Sequence, residues 1–287
     1  SLHAWCPVGY DHHLDSESDI SLSFLSPSFE LSIGLLIKLL FWINGQAVLS
    51  VLSSCCHPEL LASRDTCTHL LPPSMPTLDS ILANADIHTL FQPIMDAHQH
   101  TVLGHEALSR GPEHSPYHSA AALFNLAKTC QRSVELEQLC LELAISQFMA
   151  LQLEGRLFVN LSAAAVLALD VSKLVSQLAY QGLASERLVI ELTEQYQNDV
   201  ESLRSVAASL REAGIALALD DLGAAFSGLR RWLDLTPEFI KLDRYFIQSL
   251  HEDPVRRLFV ASLLELANQL NTAFIVEGVE TLQEWHA

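Results

Sequence analysis

The amino-acid sequence predicts an α/β fold, a TIM-like (β/α) barrel. The first observation is a regular alternation: short apolar segments are followed by longer segments with apolar residues at helical spacing, as in βα units around a mostly parallel sheet. The second is that several apolar segments end on an acid or an amide, and the carboxyl ends of barrel strands carry the functional side chains. Seven strands are predicted, against about eight in a closed barrel of this type.

The regular pattern begins near Met75, with a predicted helix at Leu78–Asn84. The first two predicted strands, 88–95 and 101–108, are separated by a short turn, so we expect them to pair as a hairpin with the first strand antiparallel. Asp253 and Pro254 open the last long helix, because proline is favoured in a first helical turn. Further strands are predicted at Arg156–Leu161, Leu188–Leu192, 215–219, Phe239–Leu242 and 273–277, and helices at 119–130, 134–153, 171–180, 199–213, 226–233 and 254–270.

Composition limits the class of partner. The chain has 287 residues, a formal net charge of −18 and a pI near 5.0. This charge argues against duplex nucleic acid or an anionic membrane as a partner of the whole surface. A small anionic ligand remains compatible, provided that metal ions and local basic residues reverse the sign inside a site. The six cysteines form no CxxC pair, so the sequence lacks the cysteine spacing of a zinc ribbon. A reducing cytoplasm is the expected location of the protein.

The first part of the chain, residues 1–74, differs from the rest. It is rich in Ser, Leu, Cys and His, and we predict a poorly defined segment, either a linker or a non-native part, before a folded domain at 75–287. Residues 31–52 have the length of a membrane span, about 20 residues. Lys38 and the Asn44-Gly45 pair interrupt this stretch, so membrane attachment through it is the less favoured reading.

Polar residues at the predicted strand ends indicate a metal site. The strand at 215–219 stops at adjacent Asp220 and Asp221, whose like charges repel unless they are protonated or bound to a cation. The alternative is a polar strand end before a glycine turn. Oxygen-rich sites suit Mg²⁺ and similar hard cations, and two such ions can activate water. Equivalent positions on the other strands, all expected at the same mouth, are Glu106, Asn160, Glu191, Lys241 and Glu277.

An ordered set of motifs adds a family resemblance. The motifs are FQPI at 91–94, EAL at 106–108 followed by Arg110, FVNLS at 158–162, ELTE at 191–194, DDLG at 220–223, KLD at 241–243 and EGVE at 277–280. Over about residues 78–287 the chain resembles the EAL domain family of bacterial cyclic di-GMP phosphodiesterases. The resemblance implies hydrolysis of cyclic di-GMP to linear pGpG with two Mg²⁺ or Mn²⁺ ions.

The resemblance also implies a role for each matching residue. Metal ligands would be Glu106, Asn160, Glu191, Asp220, Asp221 and Glu277. Lys241 would contact the attacking water, and a salt bridge with Asp243 is the alternative for Lys241. On chemical grounds, Glu277 could accept the proton of this water where it is not fully occupied as a ligand. Substrate contacts are assigned to Arg110, Gln92 and Asp243, with a solvated loop position as the alternative for Arg110, and supporting roles to Glu194 and Glu280.

Two departures from the family pattern keep an alternative function open. Ala225 replaces a glycine in the loop after Asp221, through which a homodimer is expected to form. The family's last strand, last helix and a glutamine motif have no counterpart after the helix-start pattern at 281–285, so we expect a truncated, incomplete barrel with reduced stability and activity. The other possibility for the barrel is that residues 1–74 or another chain fill the gap. The alternative is a catalytically inactive EAL domain that binds cyclic di-GMP or a protein partner. A barrel enzyme that acts on another phosphate ester is a third hypothesis. A sensory or GGDEF-type partner domain is possible, but this sequence contains none that we recognise.

Overall fold

The computed structural model of the chain describes residues 2–6, 75–193, 200–222 and 228–287. For residues 2–6 and for Asp221 it describes the backbone alone. The apolar stretch 31–52, Glu194 and the loop at 223–227 therefore lie outside the described residues. Within the described part, no helix is both long enough and apolar enough to cross a membrane.

The strands form a closed barrel in which each strand pairs with the next along the chain and the first pairs with the last. The strands are β1 Leu2–Cys6, β2 His88–Asp96, β3 Val102–Arg110, β4 Arg156–Leu161, β5 Leu188–Leu192, β6 Ala216–Leu222, β7 Phe239–Leu242 and β8 Ala273–Val279. β2 runs antiparallel to β3, and every pairing from β3 through to β8 is parallel. The predicted barrel and its antiparallel opening hairpin are confirmed.

β1 was not predicted as a strand, but it belongs to residues 1–74, which the sequence analysis named as the alternative to truncation. It lies between β2 and β8, parallel to β2 and antiparallel to β8, where the sequence analysis expected a missing strand. Its pairing with β8 contains an irregularity between Leu2 and Ala4. In the described part of the chain, β8 is followed only by a short helix and by no further strand.

The helices agree with the predicted ones to within about three residues at most ends. β6 continues through both aspartates to Leu222, because Leu222 pairs with Leu242 across an irregular register. The helices are α1 Leu78–Asn84, α2 Ala120–Thr129, α3 Ser133–Ala150, α4 Ala163–Leu167, α5 Val171–Gln181, α6 Val200–Glu212, α7 Gly228–Leu235, α8 Arg244–Ile247, α9 Pro254–Gln269 and α10 Leu282–Trp285. The short helices α4 and α8 were not predicted as elements, and α10 was predicted only as a helix start.

Two apolar layers hold the barrel together. The outer layer lies between the strands and the helices, and the inner layer fills the barrel itself. Phe158 and Phe239 meet edge to face inside the barrel, with ring centroids 5.3 Å apart. Gly104 leaves room for this packing, since a Cβ there would lie 2.4 Å from the Arg156 carbonyl oxygen and 2.9 Å from the Phe158 ring. The inner layer consists of Ile94, Phe158, Val189, Ala216, Ala218, Phe239 and Ile275.

Candidate active site

The polar residues predicted at the strand ends form one layer above the apolar interior of the barrel. Side chains two positions apart on a strand face the same side. Each site residue follows an interior position by two: Asn160 follows Phe158, and Lys241 follows Phe239. The same spacing relates Glu106 to Gly104, Glu191 to Val189, Asp220 to Ala218 and Glu277 to Ile275. Parallel strands bring these positions to a single mouth.

The Lys241 ammonium lies at the centre of four carboxylates. Its Nζ atom is 3.2 Å from an oxygen of Glu106 and 3.1 Å from one of Glu191. The distances to Asp220 and Glu277 are 3.3 and 2.7 Å. The Lys241 side chain is 1% exposed and that of Glu191 is fully buried. The structure therefore brings these five predicted residues together, and Lys241 pairs with the acids of the mouth.

Asn160 completes this cluster from β4. Its Nδ2 group donates a hydrogen bond of 2.7 Å to Glu106, which links β4 to β3. Its Oδ1 atom is buried and accepts no hydrogen bond from the residues that the structure describes. Buried polar atoms are nearly always satisfied, so this oxygen is available to a further ligand.

Burial and charge act in opposite directions on the central pair. Burial alone would lower the pKa of Lys241, but the negative charges of Glu191, Glu106, Asp220 and Glu277 raise that pKa well above its usual range. Burial raises the pKa of Glu191 well above its usual value, and the positive charge of Lys241 only partly opposes this. The Lys241 side chain is therefore positively charged at neutral pH. Ionisation of the buried Glu191 carboxyl requires strong compensation by nearby positive charge.

The chemistry of the donor set fits a hard divalent cation. In the described part of the chain, no group of three or more His, Cys, Asp or Glu side chains is already arranged as a metal site, and Lys241 is the cation among the acids. The available donors are nevertheless carboxylate oxygens and the Oδ1 atom of Asn160, and oxygen donors are those that Mg²⁺ and Mn²⁺ prefer. The side chain of Asp221 is not described, so its predicted role stays a prediction.

The three predicted substrate residues lie at or near the same mouth. Gln92 is directly opposite Glu106 in the β2–β3 hairpin, so the two side chains share the interior face. Arg110 is half-buried at the end of β3, in a strand instead of a solvated loop, and its Nη1 group donates to the Ser109 carbonyl. Asp243 accepts the Tyr245 N–H and caps α8, and the alternative of a Lys241–Asp243 pair is not what the structure has.

Of the two residues with predicted supporting roles, the structure describes Glu280 but not Glu194. Glu280 pairs with Arg244 at 2.7 Å, both about half exposed, which braces the ends of β7 and β8. The Arg244 stem covers Gly278, which has a φ of +71°. Sequence reasoning missed Arg244, although its place directly after the KLD motif was a usable signal. Glu194 and the loop expected to mediate dimerisation lie outside the described residues, and both roles stay predictions.

Comparison with known proteins identifies the family of this chain. The EAL domain family model matches residues 77–287. A probable cyclic di-GMP phosphodiesterase of Escherichia coli K12, PdeG, is 30% identical over 208 residues, covering 70% of this chain and 41% of that protein. The EAL-domain protein YkuI of Bacillus subtilis is 26% identical over 209 residues and is covered to 51%. The chain thus spans about half the length, or less, of these curated relatives.

Solved structures give the same family. BlrP1 of Klebsiella pneumoniae, in a complex with calcium and cyclic di-GMP, has a TM-score of 0.63 and 28% identity, covering 70% of this chain and 51% of that one. A standalone EAL protein of Vibrio cholerae O395, in its cyclic di-GMP-bound form, has a TM-score of 0.64 and 27% identity, with coverages of 70% and 84%. The match to the family model, the barrel and the acidic mouth together establish that this chain belongs to the EAL domain family.

Proposed function

We propose that this chain hydrolyses one phosphodiester bond of cyclic di-GMP to linear pGpG, with Mg²⁺ or Mn²⁺ as cofactor. The observation that carries the proposal is the convergence of four carboxylates and one amide oxygen at the mouth of the barrel. Relatives named as cyclic di-GMP phosphodiesterases, and related structures solved with cyclic di-GMP and with calcium or manganese, support it.

Two cations are proposed at this mouth. Glu106, Asn160, Glu191 and Asp220 would hold the first, and Asp220, Asp221 and Glu277 would hold the second. Bound divalent ions supply Lewis acidity and lower the pKa of water, and they offset the repulsion between an anionic substrate and an acidic protein.

The remaining residues bind the substrate and move protons. Arg110 would contact a substrate phosphate, and Gln92 and Asp243 are the further proposed substrate contacts; the position of Gln92 opposite Glu106 supports its part. In the reaction a water oxygen forms a bond to phosphorus, the bond from phosphorus to one ribose oxygen breaks, and that oxygen takes a proton from solvent. Lys241 orients the water, and Glu277, only 19% exposed, accepts the water's proton where it is not fully occupied as a ligand, and then releases that proton to solvent.

The second candidate is an inactive EAL domain that binds cyclic di-GMP as a regulator. The observation in its favour is that the Lys241 ammonium already contacts all four acids, so part of the space among them is taken by a cation of the chain itself. This candidate predicts binding of cyclic di-GMP in Ca²⁺ without product formation in Mg²⁺ or Mn²⁺.

Product analysis of the purified chain distinguishes the two candidates. Cyclic di-GMP is incubated with Mg²⁺ or Mn²⁺, and pGpG is measured by chromatography, alongside binding in Ca²⁺. Glu106→Ala is expected to abolish turnover, whereas the control Glu142→Ala, on the exposed face of α3, should leave it unchanged. Absence of pGpG from a folded chain that binds cyclic di-GMP would refute the hydrolase and favour the regulator.

A further inference from the structure

A buried acid on α3 is not explained by the cluster at the barrel mouth. The core-facing stripe of α3 contains Leu141, Ala144, Ile145 and Phe148 at helical spacing. Glu137 occupies the next position of that stripe and is only 6% exposed. An apolar side chain would fill this position without the desolvation cost of a carboxylate. The sequence contained this signal, since a charged residue interrupts an apolar stripe.

Both oxygens of Glu137 are used on one residue, Ser162. Oε2 accepts the backbone N–H of Ser162 at 2.6 Å, and Oε1 accepts its hydroxyl at 3.0 Å. The Ser162 hydroxyl oxygen also accepts the backbone N–H of Ala165 at 3.2 Å, which caps α4. Two hydrogen bonds from one residue to one buried carboxyl group define the position of that residue, so this contact fixes the chain direction after β4.

Ser162 lies immediately after β4, two residues beyond Asn160. The Leu161 carbonyl accepts the Thr193 N–H at 3.2 Å, which ties the other side of this turn to the end of β5. Between these anchors Asn160 reaches Glu106 through Nδ2 and keeps Oδ1 inside the mouth. The position of Oδ1 therefore depends on where the end of β4 is held.

We infer that Glu137 is a positioning residue for Asn160, acting through Ser162 to hold the amide oxygen where the proposed cation binds. The inference rests on the proposed function. Residues that orient metal ligands indirectly typically contribute about 10- to 100-fold to metal affinity. Glu137 touches neither substrate nor cation, so its effect should appear first in metal affinity.

Manganese titration of the full chain tests this inference. The dissociation constant for Mn²⁺ is measured by electron paramagnetic resonance, at a temperature where each variant is folded by circular dichroism. Glu137→Leu is expected to weaken Mn²⁺ binding about tenfold or more. Glu137→Gln, which keeps one carbonyl acceptor for the Ser162 N–H, should restore binding to within about threefold of the wild-type value. A purely structural role would lower the melting temperature without changing the affinity of the folded protein.

A matched control uses a second carboxylate that accepts a strand amide. Glu238 accepts the Leu217 N–H at 2.9 Å near the amino end of β6, away from the mouth. Glu238→Leu should reduce stability and leave the Mn²⁺ affinity within about twofold of wild type. If Glu137→Leu does not fold, Ser162→Ala removes the hydroxyl contact with Glu137 and the cap of α4, keeps the backbone N–H contact, and should weaken Mn²⁺ binding about threefold or more.

The outcomes separate the two proposals. Mn²⁺ binding by wild type together with unchanged affinity in folded Glu137→Leu, or in Ser162→Ala where the former does not fold, would overturn the positioning role alone. Failure of the folded wild-type chain to bind Mn²⁺ at millimolar concentration would overturn both the positioning role and the metal-dependent function.

Discussion

Replacing Lys241 with methionine tests the electrostatic arrangement of the mouth. The substitution keeps an unbranched side chain of similar length and removes the ammonium, which lies 2.7–3.3 Å from four carboxylates. Breaking a buried ion pair by removing one partner typically costs about 3–5 kcal/mol, because the other charge is left uncompensated. Glu191 is fully buried, so we expect Lys241→Met to lose about 3–5 kcal/mol of unfolding free energy at pH 8 without divalent ions.

The pH dependence of this loss has a definite sign. Burial already raises the pKa of Glu191 in the folded state, and loss of Lys241 removes the positive charge that opposes this increase. A carboxyl whose pKa is higher in the folded than in the unfolded state binds protons preferentially on folding, so its contribution to stability falls as pH rises. The deficit of Lys241→Met relative to wild type should therefore be smaller at pH 5 than at pH 8.

Urea unfolding followed by tryptophan fluorescence measures this deficit, with and without Mn²⁺. A ligand at 100 times its dissociation constant stabilises a folded protein by about 2.7 kcal/mol, and the variant should gain more from Mn²⁺ than wild type because its acids lack another cation. Lys173→Met, on the exposed face of α5, is the control and should change stability by less than about 0.5 kcal/mol. A Lys241→Met protein within about 1 kcal/mol of wild type at pH 8, without metal, would refute the reasoning.

Three further predictions concern the structure beneath and beside the mouth. Phe158→Ala empties the barrel interior, where this ring is fully buried, and should cost about 3–5 kcal/mol in urea unfolding. Gly278→Ala places a Cβ 2.4 Å from the Arg244 Cγ at a φ of +71°, so we expect a loss of about 1–3 kcal/mol, measured by thermal unfolding, and an unchanged melting temperature would contradict the close contact. Glu280→Gln breaks a half-exposed ion pair and should cost less than about 1 kcal/mol, shrinking further in high salt.

The alternation of strands and helices could be predicted from the sequence because the apolar residues of each long element recur at the spacing of that type of element. The convergence of Glu106, Asn160 and Glu191 was also predictable, since parallel strands share a carboxyl edge. The contacts among these side chains could not be predicted from the sequence. Lys241 contacts four acids from four different strands, and only the closed barrel determines which acids these are. The five-residue helix α4 is too short to show a helical period.

Long-range contacts account for the other differences. β1 comes from residues that carried no strand signal in relation to the barrel, and its pairing with β8 spans almost the whole chain. The contact between Glu137 and Ser162 joins residues 25 positions apart on different elements, so no local pattern names the partner. The roles assigned to Glu194 and Asp221 remain predictions.

The absence of a Cβ atom at Gly104 affects the polar side chains at the mouth of the barrel. A methyl group there would meet the backbone of β4 and force the two strands apart at the level just below the mouth. Glu106 is two residues after Gly104 on β3, and Asn160 is two residues after Phe158, whose ring packs against Gly104. Gly104→Ala would thus increase the distance between the first two proposed ligands, Glu106 and Asn160, while leaving both side chains chemically intact.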